Sequence, residues 1–182
     1  MKTVLLFLFA CTATFAQEFN VTRGGLTAKG DNSQYYILES FEGIPADSLY
    51  ANAKRYVQKN YGTLGNSIKT DDANKSISFT TANVGMKTIK KGNADVTYLS
   101  NYTGNIEIRD GKAKIAYTNV DVFANGADNT KESYPFASYW NKKGKVVQPE
   151  IKKVVEDHFN ASTRLIVAAL KDPNIGVKTT GW

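Results

Sequence analysis

The chain has 182 residues, with 23 Lys+Arg against 17 Asp+Glu and a formal charge of +6. It is 42% hydrophobic and 22% charged, a globular balance that excludes wholesale disorder. One Cys and one His exclude disulfide scaffolds, Cys/His zinc sites and most His-dependent catalysis.

The chain opens on a leader pattern. Met1-Lys2 is a short positive region, Val4 to Ala10 is an unbroken apolar run, and Thr14-Phe15-Ala16 places small residues before Gln17. This reads as a secretory signal peptide over 1–16, cut between Ala16 and Gln17. The run is too short to span a bilayer, and no other stretch is apolar enough to do so. A minority alternative is a lipoprotein signal that lipidates Cys11, although Phe9 fits that pattern poorly. Removal of the leader takes away the only Cys and one Lys, leaving residues 17–182 with a charge of +5. The expected product is one α+β domain without disulfides, exported to the periplasm or to the outer membrane and beyond.

Residues 17–32 carry Arg23-Gly24-Gly25 and Gly30-Asp31-Asn32, and read as a loose lead-in with one short strand. Tyr35 to Leu38 reads as a first strand, broken by Gly43-Ile44-Pro45. A helix is predicted over 46–60, with Leu49, Ala53, Tyr56, Val57 and Asn60 on one face. Gly62 is its expected left-handed end. Ile68 begins a short strand, Asp71 to Lys75 is a turn, and Ser76 to Thr80 alternates as a half-buried strand does. Asn83 to Ala94, with Lys87, Lys90 and Lys91, reads as a loop. Val96 to Ile108 is a long strand, and Asp110-Gly111 is a strong hairpin signal. The chain returns over 112–123. Ile115 and Tyr117 share one face, but Val120 and Val122 are off by one, which predicts a bulge near Thr118-Asn119. An aromatic-rich loop follows, holding Tyr134, Phe136, Tyr139 and Trp140. Pro149 then opens a helix over 149–171 whose apolar face carries Ile151, Val154, Val155, His158, Phe159, Ser162, Leu165, Ile166 and Ala169. Asp172-Pro173 stops it. The expected architecture is an antiparallel, twisted sheet of about four to six strands with two helices on one face.

The stretch 37–123 carries a recognisable pattern. It includes Asp47-Ser48-Leu49-Tyr50 in a helix ending at Tyr61, the strand Ser76-Ile77-Ser78-Phe79, and the run Tyr102 to Lys112 continued by Lys114 to Val120. On these residues the chain resembles the exported Bacteroidetes domain-of-unknown-function family 4468, with a family-like core over about 33–123. The resemblance implies a TATA-binding-protein-like fold of β-α-β(4)-α order and an envelope location, and no activity. Lys112 stands where that family usually has Arg, and Gly104 is atypical inside the strand. Asp47-Ser48-Leu49 also fits the short O-glycosylation pattern that such exported proteins carry.

Candidate chemistry is sparse. His158 could act as a general base with Asp157 or a Tyr, but its place on an apolar helix face reads first as a core-edge histidine. The oxygens of Asp71, Asp72 and Asn74 lack the spacing of a calcium loop. Gly25 to Gly30 has P-loop spacing, but Asp31 stands where Lys is required. No cofactor or metal is expected, and no nucleic acid. The lysine clusters read as a solvated surface with a weak attraction to anionic surfaces. Ten Tyr are many for this length. Tyr98, Tyr102 and Tyr117 on the sheet, with Tyr139, Trp140, His158 and Phe159, are the candidate lining of an amphipathic pocket between sheet and helix. The expected function is non-catalytic binding of a small amphipathic ligand or a partner protein, through that pocket or a sheet edge. The alternatives are an assembly component of an envelope complex and a hydrolase using His158.

Overall fold

The computed structural model describes residues 17–62, 68–109, 111–125 and 131–175. The leader, with Cys11 and Ala16, lies outside them. The elements are β1 (Phe19–Thr22), β2 (Gly25–Ala28), β3 (Ile37–Ser40), α1 (Ala46–Tyr61), β4 (Ile68–Asp71), β5 (Ser76–Lys91), β6 (Ala94–Arg109), β7 (Lys112–Asn125), β8 (Lys131–Ser133) and α2 (Pro149–Lys171), with a 3-10 turn at Phe136–Tyr139. Six strands form one antiparallel sheet in the order β3-β7-β6-β5-β4, with β8 pairing β7. From β3 onward the order is β-α-β(4)-α, with β8 added before α2.

The sheet is two-faced because its strands alternate. On β6, Tyr98, Ser100, Tyr102, Ile106 and Ile108 point to the helices and are buried. Their odd-numbered neighbours, including Thr103 and Asn105, look the other way and stay partly exposed. β7 begins in step with Ala113, Ile115 and Tyr117 buried, then continues with Val122 and Ala124. The change of register falls where predicted. Thr103 pairs with Thr118 but Asn101 pairs with Asp121, so Tyr102 faces two residues, and Asn119 takes a φ of 53°.

The helices cover the buried face. α1 buries Leu49, Tyr50, Ala53, Tyr56 and Val57. Gly62 is right-handed at φ −62°, so the expected left-handed end is not formed. α2 buries Ile151, Val154, Val155, Phe159, Thr163, Ile166, Ala169 and Leu170. Ser162 is half-buried and Leu165 is 48% exposed, against the predicted face. The buried stripe is broader than one sheet-facing side because α2 also packs on α1 and β1. Asn52 Nδ2 donates to the Leu170 carbonyl at 3.0 Å across that contact.

Three other expectations fail. The first strand is Ile37–Ser40, and Tyr35 is 59% exposed. The expected loop over 83–94 is strand: β5 pairs with β6 as far as Lys91↔Ala94, turning at Gly92 with φ 60°. The lead-in is a β1–β2 hairpin docked on α2. Its outer edge is closed by α2 side chains rather than by a strand. Asn160 accepts from the Phe19 N–H at 2.7 Å and donates to the Phe19 carbonyl at 3.1 Å, while Glu156 accepts from the Val21 N–H at 2.9 Å. Asn160→Leu removes both bonds to Phe19 and leaves its amide unpaired. We expect a loss of about 2 kcal/mol, with proteolysis or hydrogen exchange appearing first in residues 17–34. Unchanged protection there would show that Phe19 and Val21 burial alone holds the hairpin.

Candidate functional site

The structure divides the seven candidate side chains into two groups. Tyr102, Tyr117, Phe159 and His158 meet beneath the middle of α2. Phe159 lies against Tyr102 at 5.1 Å and Tyr117 at 4.8 Å between ring centroids, and Tyr102 meets Tyr117 edge-on at 5.5 Å. Phe19 closes the set against Tyr117 at 5.5 Å. The Tyr117 hydroxyl meets Thr163 Oγ1 at 3.3 Å. Phe159 is fully buried, Tyr102 is 2% exposed and Tyr117 5%. Burial pushes both phenols well above the ordinary range. These rings are spent on one another as core.

His158 stands at the rim of this set, edge-on to Tyr102 and Phe159. Its Nε2 is buried and makes no hydrogen bond among the described residues. Asp157 is held away by Lys153 at 2.8 and 2.9 Å, and Glu156 by Val21 and Lys152. Neither neighbouring carboxylate orients the ring. Burial lowers its pKa below the ordinary value of 6.5. The unfolded chain therefore takes up the proton first as pH falls. Stability is full above about pH 6.5 and is lost as pH drops from there toward the folded-state value. His158→Phe is expected to flatten that part of the thermal-melting profile between about pH 7 and 5. An unchanged slope would assign the loss to other groups.

The second group lies where α2 begins. Tyr98 and Tyr139 are fully buried, and Tyr139 stacks on the half-buried Trp140 at 6.0 Å. The chain folds back here because the Tyr139 carbonyl accepts the N–H groups of Val147 at 2.8 Å and Gln148 at 3.4 Å. Tyr98 meets Tyr134 edge-on at 5.5 Å, and Lys91 Nζ stands 5.4 Å from the Tyr98 ring centre. The Tyr98 side chain, with Glu132 and Glu150 behind it, holds the Lys91 ammonium above its usual range. Among the described residues, the Tyr139 hydroxyl, Ser100 Oγ and Gln148 Oε1 are buried with no hydrogen-bond partner. Such groups cost about 1–3 kcal/mol each when left unpaired. Of these residues, Gln148 lines a cleft of about 500 Å³ together with Lys91, Glu132, Tyr134, Glu150 and Ile151 among others. Pro149 at the first helical position and the lack of a side-chain cap leave this helix start open.

Sequence reasoning found Tyr98 and Tyr139 but not Lys91, Glu132, Gln148 or Glu150. Gln148-Pro149 marks a helix start, a usable signal. Nothing local says which strand ends meet it.

Other candidate surfaces are occupied or guarded. Among the described residues, no group of three or more His, Cys, Asp or Glu side chains could hold a metal ion. Asp71 accepts from the Asn74 N–H at 3.1 Å within its own turn. Ser48 of the O-glycosylation pattern is exposed in the first turn of α1. The outer edge of β5 runs past β4 after Phe79, yet it carries Lys87, Lys90 and Lys91 and two register shifts. Both features discourage another strand from adding.

Two solved structures share this architecture. One is a TBP-like protein from Parabacteroides distasonis, with a TM-score of 0.53 and 12% identity, covering 78% of this chain and 92% of that one. The other is a DUF4468 family protein from Bacteroides ovatus, with a TM-score of 0.56 and 12% identity, covering 76% of this chain and 85% of that one. This is a TBP-like fold. No protein-family model and no curated protein matches the chain. In this TBP-like sheet the helix-covered face is packed with aromatic rings, and among the described residues buried polar atoms without partners include His158 Nε2 in α2 and Gln148 Oε1 at its start. Among the described residues, no helix is long and apolar enough to cross a membrane.

Proposed function

We propose that this is an exported, non-catalytic binding protein whose ligand site is the cleft at the start of α2. The supporting observation is the Gln148 side-chain carbonyl in the cleft lining, buried and without a hydrogen-bond partner among the described residues, with the unpartnered Tyr139 hydroxyl on the residue whose backbone carbonyl accepts the Gln148 N–H. A protein keeps such groups at a cost in stability, and a ligand that bonds them recovers it. The reading moves the expected pocket from the middle of the sheet–helix layer, which Tyr102, Tyr117 and Phe159 fill, to its end.

Tyr139→Phe tests this without knowledge of the ligand. It deletes one unpaired oxygen and is expected to raise the stability of the free protein by about 1 kcal/mol. A loss of stability would mean that the hydroxyl has a structural partner, and the cleft would then be packing. Export is tested by the mass of the mature chain. Residues 17–182 recovered outside the cytoplasm are expected; an unprocessed cytoplasmic chain would overturn it.

A further inference from the structure

We infer that Gln17 is a modification site: once the leader is removed, its freed α-amine closes on its own side-chain amide to give a five-membered lactam, held on the free edge of β3. This rests on the export reading above, which makes Gln17 the first residue of the mature chain. β3 is the end strand of the sheet, so along its length one side has no strand neighbour. Gln17 lies against that side. Its backbone N–H donates to Glu39 Oε1 at 3.2 Å. Its side-chain Oε1 accepts from the Leu38 N–H at 3.2 Å and from Gln34 Nε2 at 3.4 Å. A backbone N–H can only donate, so Leu38 fixes which end of the Gln17 amide is the oxygen. Gln34 is positioned in turn by donating to the Tyr36 carbonyl at 2.8 Å.

These bonds divide the residue by fate. A lactam keeps the backbone nitrogen with one hydrogen, and it keeps the carbonyl oxygen. Both already have partners on or beside β3. The side-chain nitrogen is the atom that cyclisation expels, and among the described residues it bonds to none of these groups. The reaction needs no oxidant and no second substrate. The α-nitrogen attacks Cδ, the Nα–Cδ bond forms, the Cδ–Nε2 bond breaks, and ammonia leaves with the proton that the α-nitrogen gives up. A free α-amine is partly unprotonated at neutral pH, so the nucleophile is present. Glu39 stands within hydrogen-bond distance of that nitrogen and, among the described residues, joins no ion pair, so its carboxylate is placed to carry the proton. Negative charge grows on Oε1 as the amine adds, and the Leu38 and Gln34 donors already point at that atom. The product leaves the Leu38 N–H capped, which discourages another strand from adding at this edge.

The test releases residues 17–182 with a free Gln17 by cutting a fusion protein, and follows the intact mass at neutral pH beside the peptide of residues 17–22. It does not depend on how a cell processes the leader, so its failure is distinct from failure of the export reading. The folded chain is expected to lose the mass of one ammonia at least about ten-fold faster than the peptide. Glu39→Gln and Gln34→Ala should each slow that loss, with unchanged thermal melting showing that the fold is kept. After completion the Leu38 amide should remain protected from hydrogen exchange, because a carbonyl still accepts from it. Loss at the peptide's rate or slower would overturn the inference, since the β3 edge would then hold Gln17 in its open form. A rate that neither substitution changes would also overturn it, by placing the acceleration outside this edge.

Discussion

Phe159→Ala is expected to lower the unfolding free energy by about 4 kcal/mol, seen as a shift in the urea midpoint. The side chain is fully buried and touches Tyr102 from β6 and Tyr117 from β7. It is therefore the contact through which α2 holds two sheet strands at once. Deleting the ring removes its burial energy and leaves a void walled by rings that have their own partners, Phe19 and Thr163 on Tyr117 among them. Those partners limit collapse, which puts the cost in the upper part of the usual range. A loss below about 1 kcal/mol would show that this layer is loosely filled, and would return the ligand pocket to the middle of α2.

Gly104→Ala is expected to cost about 3 kcal/mol, a large effect for one methyl group. Gly104 pairs with Phe79 across β5 and β6, and the far end of the Phe79 ring occupies the space above it. A Cβ on residue 104 would stand 2.6 and 2.8 Å from Phe79 Cε1 and Cε2, inside contact distance. The ring cannot lift away, because Tyr61 of α1 stacks on it at 4.3 Å. The glycine that seemed out of place in the strand pattern is the seat of an aromatic ring, an arrangement that offsets the usual weakness of strand glycine. In a Phe79→Ala background the same substitution should cost less than about 1 kcal/mol. Equal costs in both backgrounds would mean that strand conformation, not the ring, requires the glycine.

Local rules read the centre of the fold well. The Gly111 hairpin, the off-by-one apolar pattern of β7 and the two helices were all legible, because each is written within a dozen neighbouring residues. The β5 arm was not. Its alternation of Val84, Met86 and Ile89 is interrupted by two register shifts and diluted by lysines, so period two disappears although the strand continues. The β1–β2 hairpin was missed because two four-residue strands carry little signal. Their missing partners are Glu156 and Asn160, more than 130 residues away. Leu165 was misplaced because an ideal helix face was assumed to meet the sheet alone, whereas α2 also packs on α1 and β1.

The candidate site shows the same division. Composition marked the tyrosines as unusual, and periodicity placed Tyr98 and Tyr102 on one face of β6. Both are buried, yet Tyr102 ends among Tyr117 and Phe159 while Tyr98 ends beside Tyr134 and Lys91. The sequence by itself determined the element types, the two-faced sheet and the bulge, since these follow from backbone sterics and local apolar spacing. Only the tertiary structure decided which tyrosines are core and which border a cleft. That choice depends on where α2 starts over the sheet, and the packing of Phe159, Thr163 and Leu170 at long range sets it.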